Sequence, residues 1–331
     1  WATWCGPCIS EMRYIHEAFA KYSAVGVPSL SLSVDVDTYG DELLRIAWQF
    51  VRRRRATNQP TAPQPDRRRP RATTEILHVL PRFIGGGPER SVMVIAAEGR
   101  AAGLEVGHTV MVLEPPISPG MHRRARHLDV DVVERPGPER LSAELAAADA
   151  IVVHYWNNPV LIEFLEGVEL PERPVVLWAR ILGTEPPQIV TDDLVGLADA
   201  VFLTSPVSAA SEGAIAARSA GVPIEIVAGA LDRTRLAATR RRPPSPGELV
   251  VGYVGSLQTT KMHPRLPEMC AEVADPRVKF VFVGDGDGDL LRRRLGSLGL
   301  ADRAVVRPHT EDIGTVFGEL DVFGFCLLYT S

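Results

Sequence analysis

The sequence lacks the features that would point to a membrane-spanning or nucleic-acid-binding protein. No apolar run approaches the roughly 18 residues that a helix needs to cross a bilayer. The net charge is only −5, so the charge balance indicates neither nucleic acid nor an anionic membrane as a partner, although peripheral membrane contact is left open. With 45% hydrophobic and 23% charged residues in a chain of 331, the composition is typical of a globular protein with two domains.

Arginine is concentrated in two short runs, residues 52–55 and 67–69. Both runs lie among Pro, Thr, Gln and Asn, without the aromatic residues that stack on bases in nucleic-acid sites. The pattern therefore favours a solvated linker over a binding patch. We interpret residues 56–72 as a linker or an artificial junction.

Only one pair of the 4 cysteines has a spacing that implies chemistry. Cys5 and Cys8 flank Gly6 and Pro7, a pair that predicts a tight turn at the start of a helix. There the helix dipole and unpaired backbone amides favour a nucleophilic thiolate at Cys5, and Cys8 would resolve the mixed disulfide. The alternative, half of a zinc site, needs a second pair of ligands, which the neighbouring sequence lacks.

The wider stretch around these cysteines carries a family resemblance. Residues 1–8, WATWCGPC, with Glu11 and Met12, resemble thioredoxin-like thiol-disulfide reductases of the membrane-tethered, cytochrome-maturation kind. That resemblance implies an extracytoplasmic setting for this segment. It covers only residues 1–55, because the cis-Pro loop, the final hairpin and the final helix of the fold are not found. Such a piece is too short to bury a sound core, so we expect a partial thioredoxin-like segment with little activity.

From residue 73 onward, short apolar runs alternate with helical patterns. This alternation predicts βαβ units and a parallel sheet with helices on both faces, and sheets of this kind bind ligands at the carboxyl ends of their strands. Strands are predicted at 76–80, 109–113, 130–133, 151–153, 175–178, 201–204 and 224–227, and helices at 90–102, 141–147, 161–166 and 209–220.

The first strand leads into a glycine-rich turn, residues 85–87. Gly86 and Gly87 allow the backbone to approach a ligand closely, and the following helix offers unpaired amides to an anion. The turn has neither the spacing of a dinucleotide-binding fingerprint nor the lysine of a Walker loop. Taken alone, it is equally a tight strand-to-helix turn.

Four ordered stretches resemble GT-B glycosyltransferases of the retaining group called family four. They are residues 76–80 with the glycine-rich turn, Glu89 and Arg90; residues 148–156; residues 254–257 with Lys261; and residues 280–286. The resemblance implies an α/β fold of two Rossmann-like domains, an acceptor domain at 73–240 and a truncated donor domain at 248–325. It implies sugar transfer from a nucleotide-diphosphate donor to an unknown acceptor, in the cytoplasm, with no metal or cofactor beyond that co-substrate. Separately, residues 326–331 look like a non-native tail.

The same resemblance assigns the candidate site residues. Lys261, just after the Gly255 turn, would neutralise the leaving pyrophosphate. An arginine that many members place nearby is missing, so Arg265 would either substitute for it or be a surface charge. His154 ends a strand, where it would lie against the transferred sugar or would simply be a satisfied hydrogen-bonding residue. Trp156 would either stack on a sugar or cover the core.

Several further expectations concern the whole chain. Asp285, Asp287 and Asp289 alternate with glycine, but an EF-hand loop would need Glu where Gly296 stands.

The glutamate-rich donor segment of the family would follow residues 321–325, so we expect weak sugar-nucleotide binding and negligible turnover. Thiol-disulfide exchange through Cys5 is the alternative enzymatic function, and carbohydrate binding without catalysis is a third. The two implied compartments disagree, which favours two joined genes.

Overall fold

The computed structural model describes residues 74–185, 188–227, 229–230, 247–258, 262–310 and 312–324. The chain divides into two compact units with a boundary near residue 232. We call described residues 74–230 the N-terminal unit and described residues 247–324 the C-terminal unit. The thioredoxin-like segment with Cys5 and Cys8, the junction, Lys261 and the tail lie outside the described residues, and the predicted domain boundaries stay predictions.

The N-terminal unit is built on a seven-stranded parallel sheet with strand order β3-β2-β1-β4-β5-β8-β9. Each of the seven strands predicted from the sequence overlaps one of these strands, because short apolar runs bounded by polar turns are typical of buried parallel strands. The strands are β1 (Thr74–Leu80), β2 (Val106–Val112), β3 (Asp131–Glu134), β4 (Ala150–Tyr155), β5 (Val175–Ala179), β8 (Ala200–Leu203) and β9 (Ile224–Ile226), and a separate antiparallel hairpin is formed by β6 (Thr184–Glu185) and β7 (Gln188–Ile189).

Helices cover both faces of this sheet. One face packs on α1 and α2 through residues such as Met93, Ile95 and Met121, and the opposite face packs on α3 to α6 through residues such as Leu145 and Leu161. The helices are α1 (Gly87–Ala101), α2 (Pro119–His127), α3 (Pro138–Ala147), α4 (Pro159–Gly167), α5 (Asp192–Gly196) and α6 (Glu212–Ser219).

Local sequence explains where the helices begin. Helices α1 to α4 each carry a proline in the first turn, where the missing amide hydrogen costs nothing. The predicted helix at 209–220 is instead a 3₁₀ turn (Pro206–Ala210) followed by α6. Ser211 separates the two, because its backbone is extended and its Oγ accepts a hydrogen bond from the Ala214 amide at 3.2 Å.

The C-terminal unit contains a four-stranded parallel sheet with strand order β12-β11-β10-β13. Tyr253, Phe280 and Phe282 pack with α7 and α8 on one face, and Val250, Val281 and Val283 pack with Val316 of α9 on the other. The elements are β10 (Leu249–Val254), α7 (Leu266–Ala271), β11 (Val278–Val283), α8 (Gly288–Ser297), β12 (Ala304–Arg307), α9 (Ile313–Glu319) and β13 (Val322–Phe323). Among all the described helices of the chain, none has the length and apolar character needed to cross a membrane.

Candidate functional site

The predicted glycine-rich turn lies at the carboxyl end of β1 and opens the 15-residue helix α1. Gly85 has φ of 96°, a left-handed conformation that favours glycine, and Arg90 Nε donates to its carbonyl oxygen at 2.5 Å. Gly86 is the N-cap of α1 and has no side chain that could cap the helix, whereas the Glu89 carboxylate makes backbone hydrogen bonds at Glu89 and Ile84. Gly86 and Gly87 therefore leave the backbone amides ahead of Glu89 available to a ligand.

A buried carboxylate lies directly beneath this turn. Glu89 is 2% exposed, and a Cβ added at Gly86 would lie 2.8 Å from its Oε2. Burial raises the pKa of Glu89, against the opposing effect of its backbone hydrogen bonds and of Arg180 and Arg90. Within the described part of the chain, Oε2 has no hydrogen-bond partner. An acceptor oxygen buried in this way is costly unless a donor reaches it.

Arg180 follows the last residue of β5 and is a second cation at this sheet edge, beside Arg90. Its backbone amide donates to the carbonyl of Tyr155 at 2.7 Å, which extends the pairing of β5 with β4. Its guanidinium carbon lies 3.3 Å from the centre of the Trp178 ring. Burial lowers the pKa of Arg180 to about 9, and Glu89 opposes this shift, so the guanidinium stays charged at neutral pH.

His154, the predicted catalytic histidine, is fully buried. Its Nδ1 accepts hydrogen bonds from Nε and Nη2 of Arg180 at 3.2 and 3.0 Å, and its Nε2 lies 3.1 Å from Nδ1 of His78. Nε2 of His78 in turn lies 3.0 Å from Nδ1 of His108. Burial lowers the pKa of His78 and of His154 well below 6.5, and the charge of Arg180 lowers both further. Direct contact of His154 with a sugar stays a prediction.

The residues that follow His154 pack locally. Trp156 packs, partly buried, against both apolar clusters on either side of the sheet, as a residue that covers the core would. Asn158 caps α4, because its Oδ1 accepts a hydrogen bond from the Leu161 amide at 3.1 Å. Trp156 therefore packs on the core, and its stacking on a sugar stays a prediction.

Two close-packed turns end β10 and β11 in the C-terminal unit. A Cβ on Gly284 would lie 1.7 Å from the carbonyl oxygen of Gly255, and the Leu257 amide donates to the carbonyl of Asp285 at 2.7 Å. Gly255 therefore contributes to a tight backbone contact beside the predicted donor site. Arg265 caps no helix with its side chain; it is 49% exposed and lies 3.8 Å from Glu272. No group of side chains in the described residues has the arrangement of a metal site.

The sequence analysis did not single out three of the four residues in the hydrogen-bonded row of His108, His78, His154 and Arg180; it singled out only His154. His78 and His108 each occupy an apolar strand on the same sheet face as His154, and Arg180 lies just beyond a fourth strand. A polar, titratable side chain within an apolar strand is the signal that could have singled out the histidines. Their alignment depends on the order β2-β1-β4-β5, which differs from chain order.

Comparisons with known proteins match the two parts of the chain to different proteins. No protein-family model matches the sequence. The chain is 43% identical over 47 residues to the thiol-disulfide oxidoreductase ResA of Oceanobacillus iheyensis. That match covers 13% of this chain and 24% of ResA, so the chain spans about a quarter of the length of the curated relative.

Solved structures resemble a much larger part of the chain. The crystal structure of Anabaena HepE in complex with UDP and glucose is similar with a TM-score of 0.53 and 17% identity, over 76% of this chain and 73% of HepE. TarM from S. aureus, crystallised as a variant with fondaparinux, α-GlcNAc-glycerol and UDP, gives a TM-score of 0.55 and 8% identity, over 76% of this chain and 80% of TarM. At these identities the similarity establishes the fold, and the fold is α/β with Rossmann-like units of the GT-B glycosyltransferase type.

Proposed function

We propose that this protein transfers a sugar from a nucleotide-diphosphate donor to an acceptor. The observation that carries the proposal is the meeting of the glycine-rich start of α1, the Arg180 guanidinium and the buried Glu89 carboxylate in the N-terminal unit. Cations and helix amides suit an anionic leaving group, whereas a carboxylate suits hydroxyl donors such as those of a sugar. The GT-B fold and the UDP-bound state of HepE support this class of substrate.

Sugar transfer needs negative charge to be stabilised as the bond between the anomeric carbon and the phosphate oxygen breaks. The acceptor hydroxyl oxygen bonds to that carbon, the nucleoside diphosphate departs, and the hydroxyl proton passes to the departing phosphate oxygen. On the family resemblance, we assign Gly255, Lys261 and Arg265 to donor binding, and we place the reaction in the cytoplasm, where nucleotide sugars are supplied. The retaining outcome is part of the proposal and rests on the same resemblance.

Nucleotide binding by the full chain tests this function. Calorimetric titration with UDP, GDP, ADP and the corresponding glucose conjugates should give saturable binding of at least one nucleotide. We expect Arg180→Gln to weaken it by about tenfold or more, because a charge-assisted hydrogen bond is lost. Arg100→Gln is the matched control, since Arg100 lies at the other end of α1 and is 51% exposed.

Three results would separate the alternatives. Nucleotide release from a glucose conjugate would support transfer chemistry. Binding of oligosaccharides without any nucleotide would favour a carbohydrate-binding protein instead. Equal effects of the Arg180 and Arg100 substitutions would remove Arg180 from the proposed site.

The similarity to ResA favours a second candidate function, thiol-disulfide exchange through Cys5 and Cys8. The thiolate of Cys5 would attack a disulfide, and the Cys8 thiol would displace the product, so that the substrate disulfide is reduced and the cysteine pair is oxidised. Insulin reduction with dithiothreitol as the electron donor tests it. We expect Cys5→Ser to abolish the activity and Cys270→Ser, which changes a buried cysteine, to leave it unchanged. Activity that survives Cys5→Ser would remove this candidate.

A further inference from the structure

Three histidines and an arginine form a continuous diagonal row across the sheet of the N-terminal unit. His108 is the third residue of β2, His78 and His154 are the fifth residues of β1 and β4, and Arg180 follows β5. From His108 to Arg180, the row therefore runs from the middle of the sheet to the carboxyl ends of its strands, where ligands bind in folds of this class. All three imidazoles are buried, with exposed fractions of 4%, 3% and 0% from His108 to His154.

The hydrogen bonds of this row run in a single direction. A guanidinium can only donate, so Nδ1 of His154 must accept from Arg180. In a neutral imidazole the proton is then on Nε2, which donates to Nδ1 of His78 at 3.1 Å. The same rule puts the His78 proton on Nε2, which donates to Nδ1 of His108 at 3.0 Å. Arg180 thus fixes the tautomer of each ring, and each ring limits the rotation of the next.

The row also fixes the guanidinium of Arg180. Nε and Nη2 both donate to His154, and the plane lies over the ring of Trp178, which is itself held by a 3.0 Å hydrogen bond from its Nε1 to the Val227 carbonyl. Among the described residues, no hydrogen bond uses Nη1, although a Cβ on Gly229 would lie only 3.7 Å from it. Arg180 is partly exposed as a residue, and Nη1 is the guanidinium nitrogen that keeps both of its hydrogens for a ligand.

We propose that His108, His78 and His154 are positioning residues that hold Arg180 so that its Nη1 binds a phosphate oxygen of the donor diphosphate. This proposal rests on the proposed function and deepens it, because it gives His154 a role through Arg180 in place of contact with the sugar. Ordering a long side chain before the ligand arrives removes an entropic cost from binding. A rigid fork also restricts the orientation of the bound phosphate.

Histidine tautomers provide a test that is independent of any ligand. In the full chain labelled with ¹⁵N-histidine, long-range ¹H–¹⁵N correlation spectra near neutral pH should show His78 and His154 as neutral rings protonated at Nε2. Assignment would use the spectra of His78→Gln and His154→Gln. Protonation at Nδ1, or doubly protonated rings, would contradict the directional row.

Pyrophosphate affinity tests the effect on Arg180. We expect His78→Leu to weaken binding by roughly tenfold, because the anchor of the guanidinium is disrupted. His127→Leu is the control, since His127 is an exposed histidine on α2. An unchanged affinity for His78→Leu in a folded variant would overturn the positioning role.

The far end of the row separates positioning from general stability. His108→Asn keeps an acceptor for Nε2 of His78, whereas His108→Leu removes it. We expect His108→Leu to weaken pyrophosphate binding and His108→Asn to restore most of it, and this pair decides the question if His78→Leu does not fold. Equal affinities for the two His108 variants would contradict the proposal.

The measurements also distinguish this proposal from the proposed function. If the wild-type chain binds nucleotides while the His78 and His108 variants match it, the positioning role fails and the proposed function stands. If the wild-type chain binds neither pyrophosphate nor any nucleotide, both proposals fail even where the tautomers are as expected.

Discussion

The two sheets differ in the side chains that they bury on comparable faces: the N-terminal unit buries hydrogen-bonded histidines, and the C-terminal unit buries aromatic residues. In the N-terminal unit, His78 and His154 lie side by side on the face that α1 covers. In the C-terminal unit, Tyr253 and Phe282 are the neighbours on the face covered by α7 and α8, with ring centres 6.5 Å apart. The tyrosine hydroxyl donates within its own turn, to the carbonyl of Ser256 at 2.9 Å.

This difference shows that the fold itself does not require a polar row. Buried polar groups lower stability unless each finds a partner, so an apolar face is the simpler solution, and the C-terminal unit adopts it. The N-terminal unit instead satisfies three imidazoles in series and ends the series on a charged group. A ligand-binding role for Arg180 explains why such a row is present at one sheet edge.

In the C-terminal unit, we expect the largest loss of stability from a change that disrupts backbone packing. Gly284→Ala places a Cβ 1.7 Å from the carbonyl oxygen of Gly255, and neither backbone can move without disturbing two strands. We expect the free energy of unfolding of this unit to fall by more than about 3 kcal/mol. Hydrogen–deuterium exchange of peptides from each unit measures the loss separately.

Gly296→Ala is the matched control for this change. Gly296 lies in α8, and a Cβ there would meet no atom within 4 Å. Alanine is the better helix former, so we expect a gain of up to about 1 kcal/mol. Equal exchange in the two variants would contradict the importance of the contact between Gly284 and Gly255.

In the N-terminal unit, we expect loss of a buried side-chain hydrogen bond to lower stability more than in the C-terminal unit. His78→Leu leaves Nε2 of His154 and Nδ1 of His108 without their partner in the row, and we expect a loss of about 2 to 3 kcal/mol. Tyr253→Phe removes the hydrogen bond that the tyrosine hydroxyl donates to the Ser256 carbonyl, so about 1 kcal/mol should be lost. Denaturant dependence of hydrogen exchange compares the two. A larger loss for Tyr253→Phe would reverse the comparison drawn between the units.

Acid should affect the N-terminal unit more than the C-terminal unit. Burial, with Arg180 and the neighbouring histidine, lowers the pKa of His78 and His154 in the folded protein, whereas the unfolded groups titrate near 6.5. Below that pH the unfolded state therefore binds more protons, and stability falls as pH decreases. Each histidine should contribute a loss of about 1 kcal/mol over the first pH unit below 6.5.

Two ionisable groups near the row, Arg180 and Glu89, also bear on how the stability of the N-terminal unit depends on pH. Arg180 stays protonated throughout this pH range. Burial raises the pKa of Glu89 in the folded state, so Glu89 takes up its proton more readily there than in the unfolded chain and opposes the histidine loss as pH falls. In the C-terminal unit, burial and, to a smaller extent, Arg265 lower the pKa of His263, and we expect a smaller loss from this histidine than from the two in the row. Unfolding free energies of both units measured between neutral and mildly acidic pH check this. Equal acid sensitivity of the two units would contradict the buried neutral row.

The sequence predicts the strands of the N-terminal unit better than its helices. Apolar runs of valine, isoleucine and leucine identify all seven strands, because a strand buried on both faces needs apolar residues throughout. Helix α2 is absent from the prediction, because only Met121 and Ala125 of its nine residues are buried and the rest of its surface is polar. Two apolar positions give too weak a helical period to distinguish a helix from a loop.

The residues of the candidate site also differ in how well the sequence predicts them. Gly86 and Gly87 are predictable because a local turn signal marks them, and His154 is predictable because it directly follows the apolar run at 151–153. Arg180 reaches the site only through the pairing of β4 with β5, and His108 joins the row only through the pairing of β1 with β2. Contacts that depend on strand order are tertiary information, which no local pattern carries.

The smallest expected difference between the two units is the loss of stability when a helix N-cap is removed. The Oγ of Ser211 accepts a hydrogen bond from the Ala214 amide at the start of α6, whereas Asp287, the N-cap of α8, makes no such bond among the described residues. We expect Ser211→Ala to lower the free energy of unfolding of the N-terminal unit by about 1 kcal/mol, and Asp287→Ala to lower that of the C-terminal unit by less. Exchange of amides in the first turns of α6 and α8 provides the measurement. If both substitutions open their helices equally, the dipole contribution of a carboxylate at α8 must match a formed cap, and side-chain hydrogen bonds would no longer distinguish the two units.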